Sequence, residues 1–321
     1  MAQNFLLSSK ARTLSLAQVM RLSEDDAFAI FKDIRWSETN GAPVCPKCAS
    51  DAIYTYAARR IFKCKACARQ FSATSGTIFA SHKMALRDYL AAIAIFSNGA
   101  KGVAALALGR DLNVSYKTAF VLAHKLREAM TADQESAMLG GTVEIDGAYF
   151  GGYVKPENRK EDRRDRRLSE TQSGKRKCVV VMRERKGRTL AFVAASEAAG
   201  ARRIAAKVRR DAKVYADEGA GWDQLHAVFA VERVNHSVQF SDDGVCTNQA
   251  ESFFSRLRRA EIGTHHHISG KYLQAYAGEM AWREDQSRKS NGGQFLLITA
   301  ATAAHPVSRK WKGYWQRHAK A

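Results

Sequence analysis

Two cysteine pairs, Cys45-Pro-Lys-Cys48 and Cys64-Lys-Ala-Cys67, are separated by fifteen residues. No other feature restricts the fold of this chain as strongly. Four thiolates on two such knuckles can surround Zn²⁺ tetrahedrally, and the spacing is that of a zinc ribbon. Between the pairs, DAIYTYAARRIFKC reads as two short strands around a turn at Ala58 and Arg59. ARQFSATSGTIF supplies a further strand. So small a piece buries little apolar surface, so bound metal provides most of its stability. The competing readings are four unliganded thiols or a redox pair. Two knuckles without a thioredoxin-like context argue against the redox pair. The basic residues Lys47, Arg59, Arg60, Lys63, Lys65 and Arg69 direct the ribbon toward nucleic acid.

The whole chain shares that bias. Its 321 residues carry a formal net charge of +19, which favours a polyanionic partner over a neutral one. A generally basic soluble protein is the plain alternative. No apolar run is long enough to cross a bilayer, and the N-terminal apolar patch is too short and broken for a signal peptide. The expected location is therefore cytoplasmic and nucleoid-associated, with no membrane partner.

Residues 1–40 read as a helical lead-in. Ser23 followed by Glu24, Asp25 and Asp26 marks a helix start with acids in its first turn. The ribbon occupies 41–80. Residues 81–135 are helical: MALRDYLAAIAIFSNG ends at Asn98-Gly99, a good C-cap pair. VAALALGRDL and SYKTAFVLAHKLREAM then flank a turn at Asn113-Val114, with Ser115 as N-cap. Helix, short turn and helix, with polar residues opening the second, outlines a helix-turn-helix. An ordinary helical hairpin is the plain alternative.

From residue 136 to 300 the pattern becomes mixed. TVEIDGAYFGG alternates like a strand, with Glu144 and Asp146 on one face. Acids inside an apolar strand are costly unless paired or metal-bound. Residues 155–188 hold fourteen Lys or Arg against six acids. The part up to 177 lacks an apolar period, so it reads as an exposed loop suited to phosphates. CVVVMRERKGRTLAFVAAS reads as a hairpin turning at Lys186-Gly187. Residues 200–212 read as a basic helix, KVYADEG as a strand ending in Asp217, and AVFAVERVNHSVQF as a strand-like piece with His236. TNQAESFFSRLRR opens a helix that Thr247 can cap. Asn248 and Glu251 share one face of it, and Arg258 lies two turns beyond Glu251. His265–His267 read as a turn rather than a second metal site, and Glu279 with Arg283 as a helical ion pair. Residues 301–321 form a basic, aromatic tail, either touching DNA or frayed.

Asp146, Asp217 and Glu251 thus fall on a strand, a strand end and a helix. That is the layout of a ribonuclease-H-like fold, a mixed sheet flanked by helices. The fold class expected is multidomain: zinc ribbon, helix-turn-helix, then this α/β catalytic domain. Three carboxylates suit Mg²⁺ or Mn²⁺, hard cations that take oxygen ligands.

Several motifs in order, CPKC, CKAC, VEIDGAYFGG, YADEG, VNHS, TNQAESFFSRLRR and HHHISGKYLQAYAGEMAWR, resemble the bacterial insertion-sequence transposases of the DDE type with an N-terminal zinc ribbon, the ISXO-two-like group. The resemblance spans about residues 20 to 290. It implies that Asp146, Asp217 and Glu251 match the metal-binding triad and that Asn248 matches the Asn preceding the last acid. Arg258 takes the place of a basic residue that is often Lys. It further implies Mg²⁺-dependent hydrolysis at transposon ends and strand transfer into target DNA, one structural Zn²⁺, and self-association as a dimer or higher oligomer. His236 could approach the scissile phosphate or serve a structural hydrogen bond. Two other functions remain open on the sequence: a zinc-ribbon DNA-binding regulator, and a ribonuclease-H-like nuclease that cuts without joining.

Overall fold

The computed structural model of the chain describes residues 5–151, 159–162, 176–234 and 246–318. In chain order its elements are α1 (Leu16–Met20), α2 (Glu24–Arg35), β1 (Ile53–Tyr56), β2 (Ile61–Cys64), β3 (Gln70–Ser72), α3 (Leu86–Asn98), α4 (Ala105–Asp111) and α5 (Tyr116–Met130). There follow β4 (Thr142–Phe150), β5 (Lys177–Glu184), β6 (Thr189–Ala194), α6 (Glu197–Lys207), β7 (Lys213–Asp217), β8 (Ala230–Val234), α7 (Asn248–Ala260), α8 (Leu273–Asp285), α9 (Asn291–Ala304) and α10 (Tyr314–His318). They form two compact units, Met1–Ala132 with Gln286–Ala321, and Asp133–Asp285.

In the first unit local sequence dictates most helix starts. Ser23 and Asp26 form a reciprocal capping box at α2, and Ser115 accepts the Thr118 N–H at α5. Gly99 ends α3, but not through a left-handed conformation, since its φ is −81°. A Cβ there would stand 2.7 Å from Val103 Cγ2, so glycine is needed for a close approach. The ribbon is a three-stranded antiparallel sheet, β1-β2-β3. Its turn runs through Ala57–Arg59 into a left-handed Arg60. Of the basic residues assigned to nucleic acid, Arg60 is already engaged, with Nη2 2.6 Å from Asp25 Oδ1.

The chain beyond residue 285 belongs to this unit. The expected boundary at 300 falls inside α9, whose Asn291 side chain accepts the N–H groups of Thr13 and Leu14. Residues 305–318 are not a frayed tail. Trp311 and Tyr314 are buried, and Trp311 stacks on His124 of α5 with ring centroids 4.2 Å apart. Burial of two large aromatic rings outweighs the cost of ordering a basic terminus.

The second unit is built on a five-stranded sheet in the order β6-β5-β4-β7-β8. β4, β5 and β6 pair antiparallel, whereas β4-β7 and β7-β8 pair parallel. One face packs Val143, Ile145, Val180, Met182, Val214 and Ala216 against Ile204 of α6 and Trp222. The other packs Ala148, Phe150, Val179 and Val181 against Phe253, Phe254 and Leu257 of α7 and Met280 of α8. Burial on both faces explains why β5 reads as the unbroken run CVVVM. A mixed sheet with helices on both faces agrees with the ribonuclease-H-like expectation. Glu279 and Arg283 pair as the sequence suggests, buried inside α8 with Oε1 and Nη2 2.9 Å apart. Among the described residues no helix is long and apolar enough to cross a membrane.

Candidate active site

The parallel register of β4 and β7 pairs Ile145 with Ala216. One residue further along each strand stand Asp146 and Asp217, so the same register places the two acids side by side. β7 ends at Asp217 while β4 runs on to Phe150. The acids therefore meet where a carboxyl strand end leaves the sheet open, the usual place for a ligand in such sheets. Asp217 Oδ1 accepts the Trp222 Nε1–H at 2.7 Å and the Gly219 N–H at 3.2 Å, which fixes its carboxylate. Asp146 Oδ1 accepts the Gly147 N–H at 2.7 Å.

Glu144 and Asp146 share one face of β4, yet their fates differ. Glu144 is fully buried and paired, its Oε1 2.8 Å from Arg185 Nε. Its Oε2 accepts the N–H groups of Gln249 at 2.8 Å and Ala250 at 3.3 Å. The strand acid thus caps the start of α7. Thr247, the expected cap, makes no side-chain capping bond there. A carboxylate from the sheet satisfies the free N–H groups and meets the positive end of the helix, which a local hydroxyl does less strongly. Replacing Glu144 with Ala strands a buried guanidinium contact and uncaps α7, so a loss of about 3 kcal/mol is expected, the low end for a broken buried pair because Arg185 stays partly exposed. A urea unfolding midpoint within error of the parent would contradict this.

That cap sets where the rest of α7 stands. Asn248 is its first residue and Glu251 lies in its first turn, both exposed, while Ala250, Phe253, Phe254 and Leu257 face the sheet. Glu251 Oε1 is 3.4 Å from Thr247 Oγ1. Arg258 is exposed two turns along, its guanidinium carbon 5.8 Å from the Phe150 ring centroid. His236 and most of the basic loop 155–177 lie outside the described residues. α7 continues into a short π-helical turn, Glu261–His265, which takes in only the first of the three histidines, and His265 packs edge-on against Tyr276.

The sequence reading missed Glu197. It placed the basic helix at 200–212, but Ser196 caps it and it begins at Glu197. The signal was the Ser-Glu pair just before the apolar spacing, a common helix start. The helix ends at Lys207 because Val208 is extended and bridges Leu139.

These acids affect one another. Burial first, and then the charges of Asp217, Glu251 and Glu197, push the Asp146 carboxyl up to about 7, against the Gly147 hydrogen bond that lowers it. Burial and then Asp217 also raise Glu197. Native Asp146 keeps its proton to about 7 whereas the unfolded chain loses it near 3.8. Without metal, stability therefore falls as pH rises through that window. A divalent ion bound at Asp146 would have to displace the proton, so Mn²⁺ affinity there would rise with pH up to about 7, by no more than about tenfold per unit, and then level off. Calorimetric titration at several pH values measures this. An affinity independent of pH from 5 to 8 would contradict it.

Asp146, Asp217 and Glu251 offer only oxygen atoms, the kind a hard divalent cation takes, but among the described residues the group whose ligand atoms converge is the cysteine cluster. The four cysteines fit a different cation. Their sulfurs all lie within 4.8 Å of one another, with Cys45–Cys67 and Cys48–Cys64 both at 3.6 Å. A tetrahedral ZnS₄ site with Zn–S near 2.3 Å needs sulfur separations of about 3.8 Å. The two knuckles are built alike. Cys45 N–H donates to Ser50 O and Cys64 N–H to Arg69 O, and each knuckle turns through a left-handed alanine, Ala49 or Ala68.

Comparison with known proteins places both parts. Residues 138–285 match the ISXO2-like transposase domain, and residues 22–70 match the transposase zinc-ribbon domain. An uncharacterized protein in transposable element ISH50 of Halobacterium salinarum is 28% identical over 295 residues, covering 88% of this chain and 97% of that protein. No solved structure matches. Both matched domains are transposase domains. The chain therefore pairs a transposase zinc ribbon with an ISXO2-like transposase domain.

Proposed function

We propose that this transposase cuts DNA at transposon ends and joins the freed 3′ ends to target DNA, using Asp146, Asp217 and Glu251 to hold Mg²⁺ or Mn²⁺. The observation that carries this reading is the β4-β7 register, which sets Asp146 beside Asp217 within the matched transposase domain. Two divalent ions held there would supply Lewis-acid stabilisation of both oxygens in an in-line phosphoryl displacement. Asp146 and Asp217 would provide the charge that holds them, with Asp146 deprotonated. Glu251 and Asn248 present oxygens from the exposed end of α7, which the Glu144 cap orients. Arg258, on the same exposed side, contacts a DNA phosphate.

DNA is held by the other unit in this reading. α4 and α5 act as a helix-turn-helix. Gly109 suits the tight turn between them, since a Cβ there would lie 3.2 Å from the Val114 carbonyl oxygen. Ser115, Tyr116, Lys117 and Thr118 are exposed on the first turn of α5, the part that meets a groove. The ribbon adds phosphate contacts, and two or more protomers assemble on the paired ends in the nucleoid.

The test is an assay with labelled element ends, Mg²⁺ and a target plasmid. Joined product is expected. Cleavage without joining would leave a nuclease, and DNA binding without cleavage would leave a regulator. Either result would overturn the strand-transfer reading.

A further inference from the structure

Glu197 sits at the first position of α6, yet its side chain lies against the backbone that carries the acids. It is half-buried. A Cβ on Gly147, the residue after Asp146, would stand 2.5 Å from Glu197 Cγ and 2.8 Å from its Oε1. A Cβ on Gly221 would stand 2.7 Å from Glu197 Cβ and 3.1 Å from its Oε2. Over Gly219 the same construction meets Asp217 Oδ1 at 3.1 Å and Glu197 Oε2 at 3.6 Å. Gly147 and Gly221, on two segments, therefore leave room for this one side chain, and above Gly219 the Asp217 and Glu197 carboxylates share the space. An acid present only to favour a helix N-terminus needs no such clearance.

The two helical acids also come from opposite sides. α7 packs on one face of the sheet and α6 on the other. Glu251, in the first turn of α7, and Glu197, the first residue of α6, therefore stand on opposite faces of the sheet.

We propose that Glu197 is a fourth carboxylate of the site, sharing a divalent cation with Asp217. This rests on the metal-dependent reading given above. Hard cations take six or more oxygen ligands, so a further carboxylate has a use there that a helix-end charge does not. It also separates the roles of the helical acids, with Glu197 serving the ion on the Asp217 side and Glu251 the opposite face.

The experiment uses the zinc-loaded full chain, titrated with Mn²⁺ while free Mn²⁺ is followed by its paramagnetic resonance signal. The variants are Glu197→Gln, Gly147→Ala, Asp146→Asn and, as a surface control, Asp211→Asn. Glu197→Gln is expected to weaken Mn²⁺ binding by about tenfold or more. The metal-free Tm should be unchanged or raised, because a crowded negative charge is removed. Gly147→Ala keeps every carboxylate but puts a methyl where Glu197 lies, and the same weakening is expected. Asp146→Asn should lose binding and Asp211→Asn should keep it. If Glu197→Gln and Gly147→Ala bind Mn²⁺ like the parent while Asp146→Asn does not, the role of Glu197 is overturned and the metal site stands. If Asp146→Asn also binds like the parent, the metal reading itself fails.

Discussion

Replacing Cys64 by Ser is expected to release the zinc and unfold the ribbon. Cys64 is fully buried and ends β2, the central strand of a three-stranded sheet whose strands are only three or four residues long. The sheet's apolar contacts are one small aromatic cluster, Phe62 on Phe71 with ring centroids 5.4 Å apart and Trp36 and Phe28 on Phe62 at 5.5 and 6.2 Å. That is too little burial to order the ribbon, whereas a structural zinc contributes an apparent 10–16 kcal/mol, roughly, in comparable peptides. Zinc content should fall from about one per chain to near zero, and protease should then cut between the knuckles. The Asp133–Asp285 unit has its own two cores, so its unfolding transition should persist. A variant that keeps its zinc and resists protease would contradict this account of the ribbon.

The second large effect is on chemistry. Asp146→Asn keeps the size of the side chain and removes the charge that the site is built around. Cleavage of transposon ends should fall by about 10³-fold or more, at least the scale of losing one preorganised transition-state contact. Binding to end DNA should survive, because the residues proposed to touch DNA lie elsewhere. The metal-free protein should become more stable near neutral pH. The carboxamide cannot ionise, so the repulsion from Asp217, Glu251 and Glu197 disappears. Cleavage within tenfold of the parent would contradict the assignment of Asp146.

Particular residues show what the sequence could reveal. The ribbon was legible because metal spacing is a local pattern, and Cys45, Cys48, Cys64 and Cys67 do converge. The strands carrying Asp146 and Asp217 were legible because alternation and apolar runs are local too. Their juxtaposition depends on register across a parallel pair 71 residues apart in the chain, which no local pattern encodes. Glu144 was recognised as an acid that needs a partner. That the partners are Arg185 and the N-terminus of α7 is a tertiary fact, and it displaced Thr247 as the cap. Glu197 was hidden by a helix start placed three residues late. Its three glycine neighbours, spread from residue 147 to 221, have meaning only in the folded chain. The C-terminal segment looked like a basic tail because charge dominates its composition. Trp311 and Tyr314 decide its position by packing on α5.

The central claim is that divalent ions held beside Asp146 and Asp217 act on the scissile phosphate. It is tested most directly by placing sulfur at one non-bridging oxygen of that phosphate and comparing Mg²⁺ with Mn²⁺. A hard Mg²⁺ ion prefers oxygen, whereas Mn²⁺ accepts sulfur more readily. One of the two diastereomers should be cleaved poorly with Mg²⁺ and recover with Mn²⁺, and that recovery should vanish in Asp217→Asn. Equal cleavage of both diastereomers with either ion, or recovery that survives Asp217→Asn, would contradict the claim.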